Sequence, residues 1–328
     1  MKMNRRNFIQ LCGGVILATE LPDNVWAEVK RPVQSLKPLN IKEITIPVGC
    51  SKPFSALHIS DTHISRVDNR DVERKIKLAS KRSKLFPWGE HYFNEAIRYA
   101  KEHGMNLFHT GDLIDFVSEA NLDFTATHYK TEDWFVAAGN HEYSQFVGEA
   151  KEDELYKAES YPKVQEAYPN DLTFCSRIIN GVNFVAIDDV YYNITERQHE
   201  LMELEVRKGL PIIMLCHVPL YTPKHCQYGL EQTKGKAAYM TGAPLEITSK
   251  YEHNPNLSPE EQWRNRTVQQ KADKPTLDFI AWLKEQKLLK GILCGHCHYF
   301  FQEQFSPTAI QYTVGATYQG DAYAVHFI

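Results

Sequence analysis

The chain has 328 residues, 43% of them hydrophobic and 24% charged, with 37 Lys+Arg against 41 Asp+Glu and a formal net charge of -4. These proportions belong to a globular protein and exclude a mainly disordered, collagen-like or coiled-coil chain. The slightly acidic balance argues against specific nucleic-acid binding, and 7 cysteines are too few for a disulfide scaffold at this length.

Residues 1–27 read as a signal peptide. Lys2, Arg5 and Arg6 form a positive start, Phe8 to Ala18 a short apolar stretch, and Val25-Trp26-Ala27 puts small residues where a signal peptidase reads, with cleavage before Glu28. The stretch is shorter than the ~20 apolar residues a bilayer core needs, and no later run reaches that length. No stable membrane insertion is therefore expected after cleavage. The Asn4-Arg5-Arg6-Asn7-Phe8-Ile9 segment resembles a bacterial twin-arginine export signal, with Asn4 where Ser or Thr is commoner, so Sec export is the alternative. A periplasmic or secreted location is expected. Residues 28–40, with Pro32 and Pro38, read as a linker, and 41–328 as one domain.

Within that domain, apolar runs at Ile41–Val48 and Phe54–Ser60 predict a starting pair of strands. Met105–Thr110, Trp134–Ala138, Pro211–Cys216 and Gly291–Cys294 are short apolar runs that each end in a polar cluster, the pattern of buried strands in a layered α/β protein. Helical periodicity lies between them. Phe93, Ala96, Ile97 and Ala100 recur at helical steps within His91–His103, and Gly104 is a stop. Thr195-Glu196-Arg197-Gln198 fits a capping box opening a helix to about Lys208, and Leu277–Leu288 is amphipathic. Leu172–Ile179 and Val182–Ile187, split by Asn180-Gly181, predict a β-hairpin. Phe300 to Ile328 reads as a meander of antiparallel strands. Strands that follow one another both directly and through helices predict an α/β fold of two packed mixed sheets flanked by helices.

Two stretches look inserted, at about 64–90 and 221–275. Arg66 to Lys84 carries a local balance of +5, eight basic residues against Asp68, Asp71 and Glu73. An Arg or Lys there could reach a substrate phosphate; a solvated helix face is the plainer reading. Tyr221, His225, Tyr228 and Trp263 are candidate stacking groups in the second stretch. Phe86-Pro87-Trp88-Gly89 is either a pocket wall or a packed turn.

The polar clusters at the strand ends carry the chemistry. In order they are Asp61-Thr62-His63, Gly111-Asp112, Gly139-Asn140-His141-Glu142, Cys216-His217 and Gly295-His296-Cys297-His298. Strand ends are where α/β proteins build sites. Imidazole mixed with carboxylate suits Zn, Fe or Mn. One carboxylate can bridge two ions, which can then polarise one substrate oxygen and share one hydroxide.

With these five blocks in this order, the sequence resembles the calcineurin-like dimetal metallophosphoesterases from about Phe54 to Tyr299. The resemblance implies a four-layer α/β/β/α sandwich and two divalent or trivalent ions. Asp61, His63, Asp112 and His298 would hold one ion, and Asp112, Asn140, His217 and His296 the other. It implies hydrolysis of small-molecule phosphoesters, mono- or diester, by a hydroxide shared between the ions. His141 would stabilise or protonate the leaving group, and Glu142 would orient His141. Purple acid phosphatases carry a Tyr ligand three residues after the Gly-Asp carboxylate and lack the first His; here those positions are Asp115 and His63, so that branch is disfavoured. The other functional reading is a non-catalytic metal- or ligand-binding protein on the same fold, which predicts vacant ligand positions, whereas all seven are filled.

Cys294 and Cys297 form a Cys-x-x-Cys around the last block, read as packed thiols rather than a redox pair. His58, His103, His109 and His128 have no motif partners and are read as structural. Asp188 and Asp189 end a strand without an assigned role.

Overall fold

A computed structural model describes residues 36–147, 154–235, 239–248 and 271–328. The expected signal peptide, the linker up to residue 35, and Trp263 lie outside the described residues.

Eleven strands among the described residues form two sheets. The first runs β1 (Asn40–Ile46), β11 (Asp321–Phe327), β2 (Phe54–Ile59), β3 (Asn106–His109) and β4 (Trp134–Val136). The second runs β5 (Phe174–Ile179), β6 (Val182–Ile187), β7 (Ile212–Leu215), β8 (Leu289–Cys294), β10 (Ala309–Thr313) and β9 (Phe301–Ser306). Strands β2, β3 and β4 are mutually parallel, as are β6, β7, β8 and β10.

Both faces of the central strands are buried, which is why β4 and β7 are unbroken apolar runs and β2 and β6 are apolar apart from Ser55, His58 and Asn183. Successive side chains point to opposite faces. On β7, Ile213 and Leu215 enter the layer between the sheets with Phe108, Phe184 and Phe327, while Ile212 and Met214 face outward. The outer face of the second sheet is covered by α6 (Glu196–Arg207) and α9 (Lys274–Lys284), through Met202, Phe279 and Leu283. The outer face of the first is covered by α2 (Gly89–Glu102), α3 (Glu119–Thr131) and α5 (Glu154–Ala167), through Phe93, Ala96, Leu122 and Val164. The result is the expected helix–sheet–sheet–helix layering. Helix α1 (Glu73–Leu85) precedes α2; α4 (Asn140–Tyr143) follows β4; α7 (Pro223–Gln232) and α8 (Leu245–Thr248) follow β7.

Local signals act as read. Thr195 accepts from the Gln198 N–H at 3.2 Å, and the Gln198 side chain accepts from the Thr195 N–H at 2.8 Å. Asn180 and Gly181 have φ of 47 and 83, the left-handed pair that a two-residue hairpin turn needs. Helix α9 starts before Leu277 because Asp273 caps it, accepting from the Thr276 N–H at 2.9 Å.

Two expectations need correction. Strands β1 and β2 are not neighbours: β11 lies between them, parallel to β1 and antiparallel to β2. Nor do the last three strands form one meander. β9 and β10 pair antiparallel in the second sheet, and the chain then crosses to the first. Sequence spacing gave no sign of this crossover, because both sheets accept the same apolar alternation.

Candidate metal centre

Strands β2, β3 and β4 of one sheet and β7 and β8 of the other end at the same side, and each of the five polar blocks follows one of these ends. Backbone bonds tie the loops together. The Asp61 N–H donates to Gly111 O at 2.9 Å, and Gly295 N–H to His217 O at 3.0 Å. The Asp61 carboxylate accepts from the His296 N–H at 2.9 Å, linking the sheets.

Two groups of side chains converge. Asp61, His63 and His298 form one, and Asp112, His217 and His296 a second; His63 also meets Asp115 and His141 in a third that holds no other predicted ligand. His63 Nε2 and His298 Nε2 are 3.1 Å apart, as are His298 Nε2 and Asp61 Oδ1. In the second group His217 Nε2 lies 3.2 Å from His296 Nδ1 and 3.3 Å from Asp112 Oδ2. Asp112 Oδ2 is also 3.9 Å from His63 Nε2 and from His141 Nε2, so one carboxylate oxygen faces both groups. Six of the seven predicted ligand residues fall in these two groups, and the seventh, Asn140, lines the cavity beside Asp112.

These residues fit a cation pair. Asn140 Oδ1 is buried without a hydrogen-bond partner among the described residues, an expensive state for an acceptor that a cation relieves, and Asp61 Oδ1 has only the His298 imidazole beside it at 3.1 Å. Facing imidazole nitrogens at 3.1–3.2 Å have the same need. Each imidazole has its outer nitrogen engaged, which frees the inner one as a ligand atom. His217 Nδ1 donates to Thr110 O at 2.6 Å. His63 Nδ1 is 3.0 Å from Asp115, His296 Nε2 is 3.1 Å from the Tyr192 hydroxyl, and His298 Nδ1 is 3.3 Å from the Tyr318 hydroxyl.

Charge follows burial and contact. Burial pushes the Asp112 carboxyl up, but His217 and His141 beside it hold it well below the usual range. Burial pushes His217 down, yet Asp112 raises it to about 10. His296 is lowered to about 3 by burial and by His217, so it is neutral at physiological pH. The backbone is strained here as well: Asp61, His63, Asp112, His296 and His298 all have φ between 54 and 66. Such left-handed positions cost on the order of 1–3 kcal/mol each and collect at functional sites.

The sequence pattern of the calcineurin-like phosphoesterases matches residues 54–300, more than half of the chain. The chain belongs to this family. No curated protein sequence matches this calcineurin-like phosphoesterase. Among solved structures it is similar to a dimetal phosphatase from Danio rerio, with 13% identity and a TM-score of 0.41, over 83% of this chain and 89% of that one. It is similar to a phosphopantetheinyl hydrolase from Mycobacterium tuberculosis, with 10% identity and a TM-score of 0.38, over 81% and 90%. It is also similar to a 5'-nucleotidase from Candida albicans, with 13% identity and a TM-score of 0.37, over 86% of this chain and 47% of that one.

In this phosphoesterase Glu142 does not hold His141, and that expectation is corrected. The Glu142 carboxylate turns inward and accepts from the N–H groups of Asp112 (2.7 Å), Leu113 (2.8 Å) and Gly139 (2.6 Å) and from the Tyr168 hydroxyl (2.8 Å). A carboxylate one residue beyond His141 at the start of α4 meets the backbone of the loop below it. Asp115 does the orienting: His141 Nδ1 donates to its carbonyl at 2.7 Å and lies 3.2 Å from its carboxylate. Arg82, from the basic stretch, pairs with Asp115 through two arms at 2.6 and 2.7 Å. Its guanidinium is thus engaged by a buried carboxylate. Phe86 stacks on His63 at 4.3 Å.

Asp189, left without a role by sequence, accepts from the His217 and Val218 N–H groups at 3.1 Å. His58 and His109 lie under the site, bonded to Thr110 and Thr62. The six described cysteines are free. A sequence signal for Asp115 existed, three residues past Asp112; Arg82 had none, since its partner is far along the chain.

Proposed function

We propose that this chain is a metal-dependent hydrolase of small phosphoesters. Asp61, His63, Asp112 and His298 would hold one divalent or trivalent ion, and Asp112, Asn140, His217 and His296 a second, of Mn, Fe or Zn. When bound, such ions neutralise phosphoryl oxygens and lower the pKa of water toward neutrality. The chain's own residues supply orientation and a proton. Asp112 spends Oδ1 on the His141 N–H, at 2.9 Å, which fixes Oδ2 between the two groups. His141 is held at Nδ1 by Asp115, so Nε2 faces the site and carries the proton for the departing alkoxide.

The observation that carries this reading is the position of Asp112 Oδ2, within 4 Å of His63, His141 and His217 together. Turnover of p-nitrophenyl phosphate with Mn²⁺ tests it. Asp112→Asn should lose both metal content and turnover. His141→Ala should keep metal and lose ~10²–10⁴-fold in rate. Metal content without turnover of either that ester or bis-p-nitrophenyl phosphate would support the non-catalytic reading instead, and the ratio of the two rates separates monoester from diester preference. We also propose export to the periplasm or medium by residues 1–27; Arg5→Lys with Arg6→Lys should block it if the twin-arginine route is used.

A further inference from the structure

A cavity of about 350 Å³ opens beside the candidate centre, lined by Asp112, Asn140 and His141 and also by four tyrosines, Tyr191, Tyr192, Tyr239 and Tyr299. Three of these four have left-handed backbones, with φ of 63, 68 and 49 at Tyr191, Tyr192 and Tyr239. A bulky residue rarely sits in that region unless its surroundings force it there, so the chain spends strain on presenting these rings.

Two of the rings are set against one candidate ligand. The Tyr192 ring lies 5.8 Å from the His296 ring at 72°, and the Tyr239 ring 5.5 Å from it at 79°. Both therefore stand nearly perpendicular to the same imidazole. Tyr299 is braced by an aromatic ladder: Tyr228 meets it edge-on at 5.0 Å and stacks on Phe301, on which His225 also stacks at 4.4 Å. His225 and Tyr228, expected from sequence as stacking groups, thus support a lining ring rather than line the cavity themselves.

We propose that the tyrosine-lined part of the cavity receives a planar ring on the alcohol side of the phosphoester, so that small esters of ring-bearing alcohols are the preferred substrates. The proposal rests on the phosphoesterase reading above. Flat aromatic faces favour offset or edge contacts with another ring over contact with a flexible alkyl chain. The volume is near the lower end of the ~300–1,000 Å³ of small-molecule pockets, which suits one phosphoryl group with one ring-bearing substituent and not a polymer segment.

The test compares 3-phenylpropyl phosphate with hexyl phosphate, both esters of primary alcohols, on the Mn²⁺-loaded full chain. The phenyl ester should show kcat/KM about tenfold higher. Tyr239→Leu should bring that ratio close to one, and Tyr239→Phe should keep it. Equal kcat/KM for the two esters, or a ratio unchanged in Tyr239→Leu, overturns the proposal while leaving the hydrolase reading intact. Calorimetric binding of 3-phenylpropylphosphonate against hexylphosphonate decides the matter without turnover. If no ester is hydrolysed, the hydrolase reading fails, and equal binding of the two phosphonates then removes the ring site too.

Discussion

Asp115 is fully buried and faces three basic groups, Arg82, His63 and His141. Burial pushes its carboxyl up, but the Arg82 and histidine contacts hold it well below the usual range. It is therefore a fixed negative charge that sets two imidazoles at once. Arg82→Gln removes the two-armed partner and should lower turnover about 10–100-fold with metal content retained, and lower unfolding free energy by about 1–3 kcal/mol. Steady-state kinetics and urea unfolding check the two halves. His217 gives a second residue-scale prediction. Held at about 10 by Asp112 against the effect of burial, it carries a proton at pH 7.5, and Nδ1 is already committed to Thr110. A cation at Nε2 must displace that proton. Metal titration by calorimetry in two buffers of different ionisation heat should show about one proton released per chain at pH 7.5, and an equal heat in both buffers would contradict this.

Among the elements, the loops after β3 and β4 interlock so closely that one of their residues must lack a side chain. A Cβ on Gly139 would collide with the Asp112 carboxylate and its backbone nitrogen. Gly139→Ala should therefore cost about 1–3 kcal/mol and weaken metal binding by displacing Asp112, as followed by denaturant midpoint and metal content. The strands themselves were readable because burial on both faces leaves no polar position within Ile212–Leu215 and only Asn183 within Val182–Ile187. Their order was not. The same alternation serves either sheet, so the placement of β11 between β1 and β2 depends on contacts between residues such as Tyr323 and His58 that are remote in sequence.

For the whole molecule, three buried histidines outside the proposed ligand set should weaken the fold in acid. His58, His109 and His225 are each lowered to about 3, chiefly by burial. Their unfolded pKa is ~6.5, so between about pH 6.5 and 3 the unfolded chain binds more protons and stability falls as pH falls. Each contributes a loss of roughly 2 kcal/mol by pH 5. The urea midpoint should drop between pH 7.5 and 5, and His225→Phe, which keeps the stack on Phe301, should make the decline shallower. A midpoint independent of pH over that range would falsify the account.

The sequence by itself determined which residues could be ligands and which runs were strands. Both are local facts: a polar cluster after an apolar run, and an apolar run with no polar face. The tertiary structure decided what those residues do. Only the meeting of two sheets brings Asp61 to the His296 N–H, and only that convergence turns Glu142 to the backbone, gives His141 to Asp115, and carries Arg82 from the basic stretch to a buried carboxylate. Such roles are set by distances across the fold, and residue spacing along the chain does not contain them.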